Sequence, residues 1–133
     1  ATMVAAYLAV MKAGGVTVAT MPLLRAKELS YTCKKAQIRL ALGDARLAAE
    51  LDKTKAPASN LERVVYWGGG GPDSLETLMN KPGYEKFDAF DTAVDDVCLI
   101  AFTSGTTGEP KGTMHFHRDM LAPCDSYGKH VLQ

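Results

Sequence analysis

The stretch of sequence that decides the fold is Val97-Cys98-Leu99-Ile100-Ala101-Phe102. All of these residues are apolar, which is typical of a β-strand that is covered on both of its faces. The chain then runs without a break into a polar, glycine-rich segment, residues 103–112. A buried strand is therefore predicted to lead directly into this segment.

Helical and strand patterns alternate upstream of this strand. Apolar residues recur at helical spacing or form short β-branched runs between glycines and prolines. The patterns predict helices over residues 2–13, with Thr2 as the N-cap and Gly14 at the stop, over 27–37 and over 45–51, and strands over 16–21, 38–42 and 64–67. This alternation predicts an α/β domain, layered, with a mainly parallel sheet flanked by helices.

Three further elements are predicted around and after the central strand. Gly68 to Gly71 form a loop, after which Asp73 and Glu76 have the spacing of a capping box for a short helix through Met79. A short strand over 113–116 and a helix from about Asp119 follow the glycine-rich segment. Pro123 is expected to kink that last helix.

Composition excludes several classes of protein. The chain has 133 residues, of which 47% are hydrophobic, and its 15 basic and 15 acidic side chains cancel. These values argue against a disordered chain and against nucleic acid as the main partner, because phosphate backbones select strongly basic surfaces. Three widely spaced cysteines favour a reduced, cytoplasmic protein. The apolar residues 3–11 are too few for a membrane span.

Residues 103–112 carry the chemistry expected of a phosphate-binding loop. Glycines let backbone N–H groups turn toward an anion, hydroxyls donate hydrogen bonds to phosphate oxygens, and a lysine adds a mobile positive charge. The segment is not a Walker A loop, because Lys111 is followed by Gly112 instead of Ser or Thr. The dinucleotide-binding G-x-G-x-x-G motif is absent as well.

Residues 103–112, Thr-Ser-Gly-Thr-Thr-Gly-Glu-Pro-Lys-Gly, resemble the phosphate-loop signature of the adenylate-forming (AMP-binding) superfamily. Asp95-Asp96 is similar to the acidic pair that precedes this loop in the family, and Lys12-Ala13-Gly14-Gly15 is similar to an upstream segment. The three segments occur in the family's order. The resemblance implies that residues 1–133 are a partial N-terminal AMP-binding domain, a fragment without the C-terminal domain and the remainder of its own polypeptide.

The resemblance implies a two-step reaction that uses ATP, Mg²⁺ and coenzyme A. A carboxylate attacks the α-phosphate of ATP to give an acyl-adenylate, and the coenzyme A thiolate then displaces AMP. Lys111 and Thr107 would be the catalytic residues. The residues implied to hold the phosphates are Thr103, Ser104, Gly105, Thr106, Thr107, Gly108 and Lys111.

The substrate and two alternative functions are further expectations. The run His115-Phe116-His117 resembles the benzoate and 2-aminobenzoate CoA ligase branch, which favours an aromatic acid as the partner. Alternatives are a non-catalytic nucleotide-binding or interaction fragment, and an adenylation domain that loads a carrier protein. We expect His115 and His117 to alternate along one strand and assign no metal ligands, and we expect Cys98 to be inert in the core.

Overall fold

The computed structural model describes residues 1–55, 59–103 and 108–132. Helices and strands alternate along much of the chain, in the order α1 (Thr2–Lys12), α2 (Ala26–Lys35), β1 (Leu40–Asp44), a 3₁₀ turn (Ala45–Leu47), α3 (Ala48–Thr54), β2 (Arg63–Trp67), α4 (Leu75–Met79), β3 (Val97–Thr103), β4 (Lys111–Phe116), α5 (His117–Pro123) and a π-helical turn (Cys124–Gly128). The chain divides into two compact units, Thr20–Asp88 and Met3–Ala19 with Ala89–Gln133.

The unit Thr20–Asp88 is built on the parallel pair β1 and β2. Leu40 pairs with Arg63 at one end, and Asp44 pairs with Trp67 at the other. Its core is formed by α2 and the segment that enters β2, and the buried apolar residues are Leu29, Cys33, Leu61 and Val65. The strands predicted over 38–42 and 64–67 and the helix predicted over 27–37 are confirmed to within a few residues.

Helix α4 begins one residue later than the sequence predicts. Ser74, which is only 5% exposed, is the N-cap. Its hydroxyl accepts a hydrogen bond from the backbone N–H of Thr77 at 3.3 Å. Asp73 as the cap is therefore wrong. Glu76 does not complete a capping box, because its carboxylate accepts from the backbone N–H of Gly68 at 2.8 Å.

The unit Met3–Ala19 with Ala89–Gln133 contains α1, β3, β4 and α5. Thr2 is the first residue of α1 and Ala1 is the N-cap, so the predicted Thr2 cap is wrong. The predicted stop at Gly14 is confirmed, since Gly14 adopts φ +73° just beyond the helix. The N–H groups of Gly14 and Gly15 donate to the carbonyl oxygens of Met11 and Val10, which is a Schellman ending.

The strand predicted over 16–21 reduces to one bridge. Thr17 pairs in parallel with β3: its N–H donates to Cys98 and its carbonyl oxygen accepts from Ile100, each at 2.9 Å. Extended β-branched residues form a strand only where a neighbour supplies a hydrogen-bonding ladder. In the described part of the chain, only Thr17 from this run meets one.

The α/β class is confirmed, and the named strands of the described residues form two two-stranded sheets, β1 with β2 and β3 with β4. Strands β1 and β2 are parallel, whereas β3 and β4 are antiparallel. Helix α5 begins at His117, two residues before the predicted start at Asp119, and Pro123 is its last residue. Among the described residues, no helix combines the length and apolar character that a bilayer crossing requires.

Candidate functional site

Strands β3 and β4 carry the glycine-rich loop between them. Their register runs from Val97 opposite Phe116 to Thr103 opposite Lys111. The Thr103 hydroxyl also donates to the Lys111 carbonyl oxygen at 3.4 Å. The predicted loop over 103–112 is therefore wrong at its two ends: Thr103 belongs to β3, and β4, predicted over 113–116, begins at Lys111.

The register determines which side chains share a face of this strand pair. Gly112 lies against β3: a Cβ added there would be 2.9 Å from Ile100 Cγ2. Because alternate residues of a strand point to opposite faces, Lys111 and Thr113 lie on the other face with Thr103. Lys111 is exposed on that face.

The structure describes three of the predicted phosphate-binding residues. Thr103 and Lys111 lie at the two ends of the loop and are exposed. Gly108 is exposed as well, and a Cβ added to it would meet no heavy atom of the described residues within 4 Å. The remaining predicted residues lie outside the described part of the chain, and they are Ser104, Gly105, Thr106 and Thr107.

The acidic pair before β3 forms a tight turn. The backbone N–H of Asp96 donates to the Ala93 carbonyl oxygen at 3.1 Å, and the Asp96 carboxylate accepts from the Ala93 N–H at 2.8 Å. The Asp95 carboxylate pairs with the Arg118 guanidinium at the start of α5. Asp95 and Asp96 therefore stabilise the turn that precedes β3, at the end of this strand that is distant from the loop.

The upstream segment Lys12–Gly15 contacts Phe90, which lies in the same unit as β3. The Lys12 carbonyl oxygen accepts from the backbone N–H of Phe90 at 2.9 Å. The Phe90 ring covers Gly14 so closely that a Cβ there would be 2.6 Å from Phe90 Cδ1. A few residues later, Thr17 bonds to β3. All three segments behind the family resemblance thus belong to one unit, around β3.

Sequence reasoning did not identify Arg118 as part of this arrangement. Its guanidinium lies 5.2 Å from the centroid of the Phe116 ring and pairs with Asp95. The sequence does contain a signal for this ion pair: basic Arg118 follows the predicted second strand closely, and acidic Asp95 precedes the first. Only the register of β3 and β4 shows that the two positions are adjacent in space.

The histidines and Cys98 take different places from one another. His115 lies on β4 and His117 is the first residue of α5, so the prediction that they alternate along one strand is wrong. The described residues contain no cluster of three or more His, Cys, Asp or Glu suited to a metal ion.

Cys98 is fully buried, and burial raises the pKa of its thiol, which disfavours the reactive thiolate.

The glycine run 68–71 presents no free donor at its first residue. The Gly68 N–H donates to the Glu76 carboxylate, and this hydrogen bond lowers the pKa of Glu76 below its usual value. A side chain of the protein therefore occupies the position at which an anion would meet the Gly68 N–H.

Comparison with known proteins gives consistent matches over nearly all of the chain. The profile of the AMP-binding enzyme family matches residues 1–132. Benzoate–CoA ligase of Thauera aromatica is 33% identical over 126 residues, which cover 95% of this chain and 24% of that enzyme. The long-chain-fatty-acid–CoA ligase FadD13 of Mycobacterium tuberculosis is 29% identical over 120 residues, which cover 90% of this chain and 23% of that enzyme.

A solved structure agrees in fold. The anthranilate CoA ligase AuaEII, crystallised with anthranoyl-AMP, superposes with a TM-score of 0.81 at 23% identity over 98% of this chain and 26% of that one. The chain thus spans about a quarter of the length of these relatives. The family match extends over the three motifs and the strand pair that carries the loop, and the chain belongs to the AMP-binding enzyme family.

Proposed function

We propose that the protein containing this chain is an ATP-dependent acid–CoA ligase, and that this chain supplies the loop that binds the ATP phosphates. The observation that carries the proposal is the pairing of Thr103 with Lys111, which closes a glycine-rich loop at the end of two bonded strands. Membership of the AMP-binding family supports adenylation as the first step.

The described residues fit a polyphosphate. Lys111 and Thr103 lie at the two ends of the predicted loop and are exposed, and no heavy atom of the described residues lies within 4 Å of a Cβ added to Gly108. Positive charge and donors placed where negative charge develops lower the barrier of a reaction. We propose that Lys111 neutralises charge on the departing pyrophosphate while Gly108 holds its oxygens together with Ser104, Gly105, Thr106 and Thr107. Thr103 joins them when its hydroxyl exchanges the 3.4 Å hydrogen bond to the Lys111 carbonyl oxygen for one to a phosphate oxygen.

Magnesium would accompany the nucleotide, because Mg²⁺ in phosphoryl-transfer sites is commonly held by substrate phosphates together with one or two carboxylates. Its contribution would be to shield phosphate charge. Loop hydroxyls, Thr107 among them, would assist in placing it. Coenzyme A would act as the second substrate.

We propose an aromatic acid as the substrate. The run His115-Phe116-His117 resembles that branch, and the benzoate–CoA ligase match supports it. The match to a long-chain-fatty-acid–CoA ligase makes the acid the first property to test. A carrier protein in place of coenzyme A is the alternative acceptor.

The test is ATP–pyrophosphate exchange by the complete protein with benzoate, 2-aminobenzoate, a long-chain fatty acid and an amino acid. We expect exchange with the two aromatic acids and, after coenzyme A is added, the corresponding thioester by mass spectrometry. Exchange with the fatty acid alone would contradict the aromatic substrate, and no exchange with any acid would contradict adenylation. The isolated 133-residue chain is expected to bind ATP weakly at best and to form no adenylate.

A further inference from the structure

Two backbone hydrogen bonds join the turn before β3 to the start of α5. The His117 N–H donates to the Asp96 carbonyl oxygen, and the Arg118 N–H donates to the Val94 carbonyl oxygen, each at 3.1 Å. The Arg118 guanidinium adds a third connection by pairing with the Asp95 carboxylate. These three contacts lie at the end of the strand pair that is distant from the loop.

The Arg118 side chain is held among an aromatic ring and two carboxylates. It lies 5.2 Å from the Phe116 ring centroid, and its Nε is 3.9 Å from Asp119 Oδ1. Asp119 in turn accepts a hydrogen bond from the Phe116 N–H at 2.9 Å. The Arg118 and Asp95 side chains are 58% and 63% exposed, and such ion pairs contribute little to folding stability. The remaining effect that the pair can have is on the position of the turn at Asp95 relative to the end of β4.

The strand pair is irregular at the same end. The register of β3 and β4 shifts between Val97 and Leu99, so that Phe116 lies opposite Val97 and not opposite Cys98. Migration of this irregularity to the loop end would shift the pairing of Lys111 from Thr103 to Phe102. A one-residue slip moves every side chain of a strand to the opposite face. Lys111 would then leave the face that it shares with Thr103.

We propose that Arg118 is a positioning residue for ATP: by fixing the turn at Asp95 to the end of β4, it confines the register shift to that end and keeps Lys111 on the phosphate-binding face. This inference rests on the proposed function. It predicts that Arg118 affects the binding of ATP through the position of Lys111 on β4, without touching any substrate.

The experiment uses the complete protein with Arg118→Gln, Asp95→Asn, the double variant and Arg118→Lys. Because an exposed ion pair is a weak interaction, each single variant is expected to raise the KM for ATP in pyrophosphate exchange about threefold, with the KM for the acid unchanged. The double variant should equal Arg118→Gln alone, since the ion pair that Asp95→Asn removes is already lost in that variant. Arg118→Lys should restore part of the loss by keeping the charge.

A matched control is available in the same unit. Lys129 pairs with Asp125 at 2.7 Å, and both side chains are at least two-thirds exposed, so Lys129→Gln removes a similar surface ion pair between residues that belong to neither β3 nor β4. This control variant should keep both KM values. Losses that add in the double variant, or equal rises in the KM of ATP and acid, would overturn the inference.

The same assay separates this inference from the proposed function. If no acid supports exchange in the wild-type protein, the proposed ligase function fails, and if Lys111→Ala leaves exchange unchanged, the proposed role of the loop in holding the ATP phosphates fails. If Lys111→Ala slows exchange strongly while Arg118→Gln and Asp95→Asn keep the KM for ATP, the positioning role alone fails. Asp95→Asn nearly preserves side-chain shape and leaves the two backbone hydrogen bonds to α5 in place, so it supplies a readout even if Arg118→Gln folds poorly.

Discussion

Thr103 and Lys111 lie opposite each other across β3 and β4, and the Thr103 hydroxyl donates to the Lys111 carbonyl oxygen at 3.4 Å. The two ends of the glycine-rich loop are thereby fixed to one another. Lys111 is carried by a bonded strand and not by the loop itself. A cation on a rigid element needs less reorganisation when it meets a charged ligand, which favours the role of Lys111 in catalysis.

Lys111→Ala in the complete protein is expected to slow ATP–pyrophosphate exchange by about a hundredfold, the scale of losing one preorganised charge or donor. The fold should be retained, because the side chain is exposed and the backbone pairing to Thr103 does not depend on it. Circular dichroism and the midpoint of urea unfolding check the second expectation. Lys129→Ala, a change of the same type in the same unit, should leave exchange intact.

Ser74→Ala is expected to destabilise the fold by about 1 kcal/mol, the usual cost of removing a helix N-cap. Ser74 is buried, and its hydroxyl both accepts from the Thr77 N–H and donates to Thr77 Oγ1. Asp73→Ala is the matched control and should change the free energy of unfolding very little. Urea unfolding of the two variants decides between the two residues, and a larger loss for Asp73→Ala would contradict the structural assignment of the cap.

Much of the fold follows from local sequence pattern. The continuous apolar run before Thr103 and the run before Gly68 were predicted as strands because few other structures suit such residues, and both are strands. The predictions of the α4 cap and of a strand over 16–21 are wrong for another reason. Asp73 and Ser74 are equally good capping residues by type, and a strand at Thr17 depends on which neighbour its backbone meets.

The candidate site was predictable in residue type but not in arrangement. The glycines, hydroxyls and Lys111 indicate phosphate chemistry from sequence alone. The assignment of Thr103 and Lys111 to strands, and the connection of Arg118 to Asp95, arise from the antiparallel register. Register is set by contacts between residues distant in sequence, so no local pattern contains it.

Gly14→Ala is expected to be more destabilising than Gly83→Ala. Both glycines adopt positive φ, +73° and +96°, which costs other residues about 1 kcal/mol or more. Of the two, Gly14 is also covered, since its Cβ would lie 2.6 Å from Phe90 Cδ1, whereas no heavy atom of the described residues lies within 4 Å of a Cβ at Gly83. The difference in the free energy of unfolding therefore measures the Phe90 contact. Adding Phe90→Ala should remove most of that difference, and equal losses for both glycines would contradict the contact.

The last prediction concerns the carboxylate of Asp44, at the end of β1. Arg46 donates to it from Nε at 2.9 Å, from Nη2 at 2.8 Å and from its backbone N–H at 3.0 Å. These bonds to the Arg46 side chain and backbone hold the pKa of Asp44 well below its usual value. Arg46→Gln should raise that pKa toward the value of about 3.9 of a free aspartate, as measured by carboxyl-carbon NMR titration.

The sign of the accompanying stability change follows from the direction of the shift. A carboxyl whose pKa is lower in the folded state stabilises the fold above its unfolded pKa, and this stabilisation is lost as the pH falls through the folded pKa. The difference in unfolding free energy between wild type and Arg46→Gln should therefore be constant near neutral pH and shrink below about pH 4. Arg46→Lys keeps the charge without the two-pronged geometry and should give an intermediate pKa. An Asp44 pKa that is the same in all three proteins would show that Arg46 does not set it.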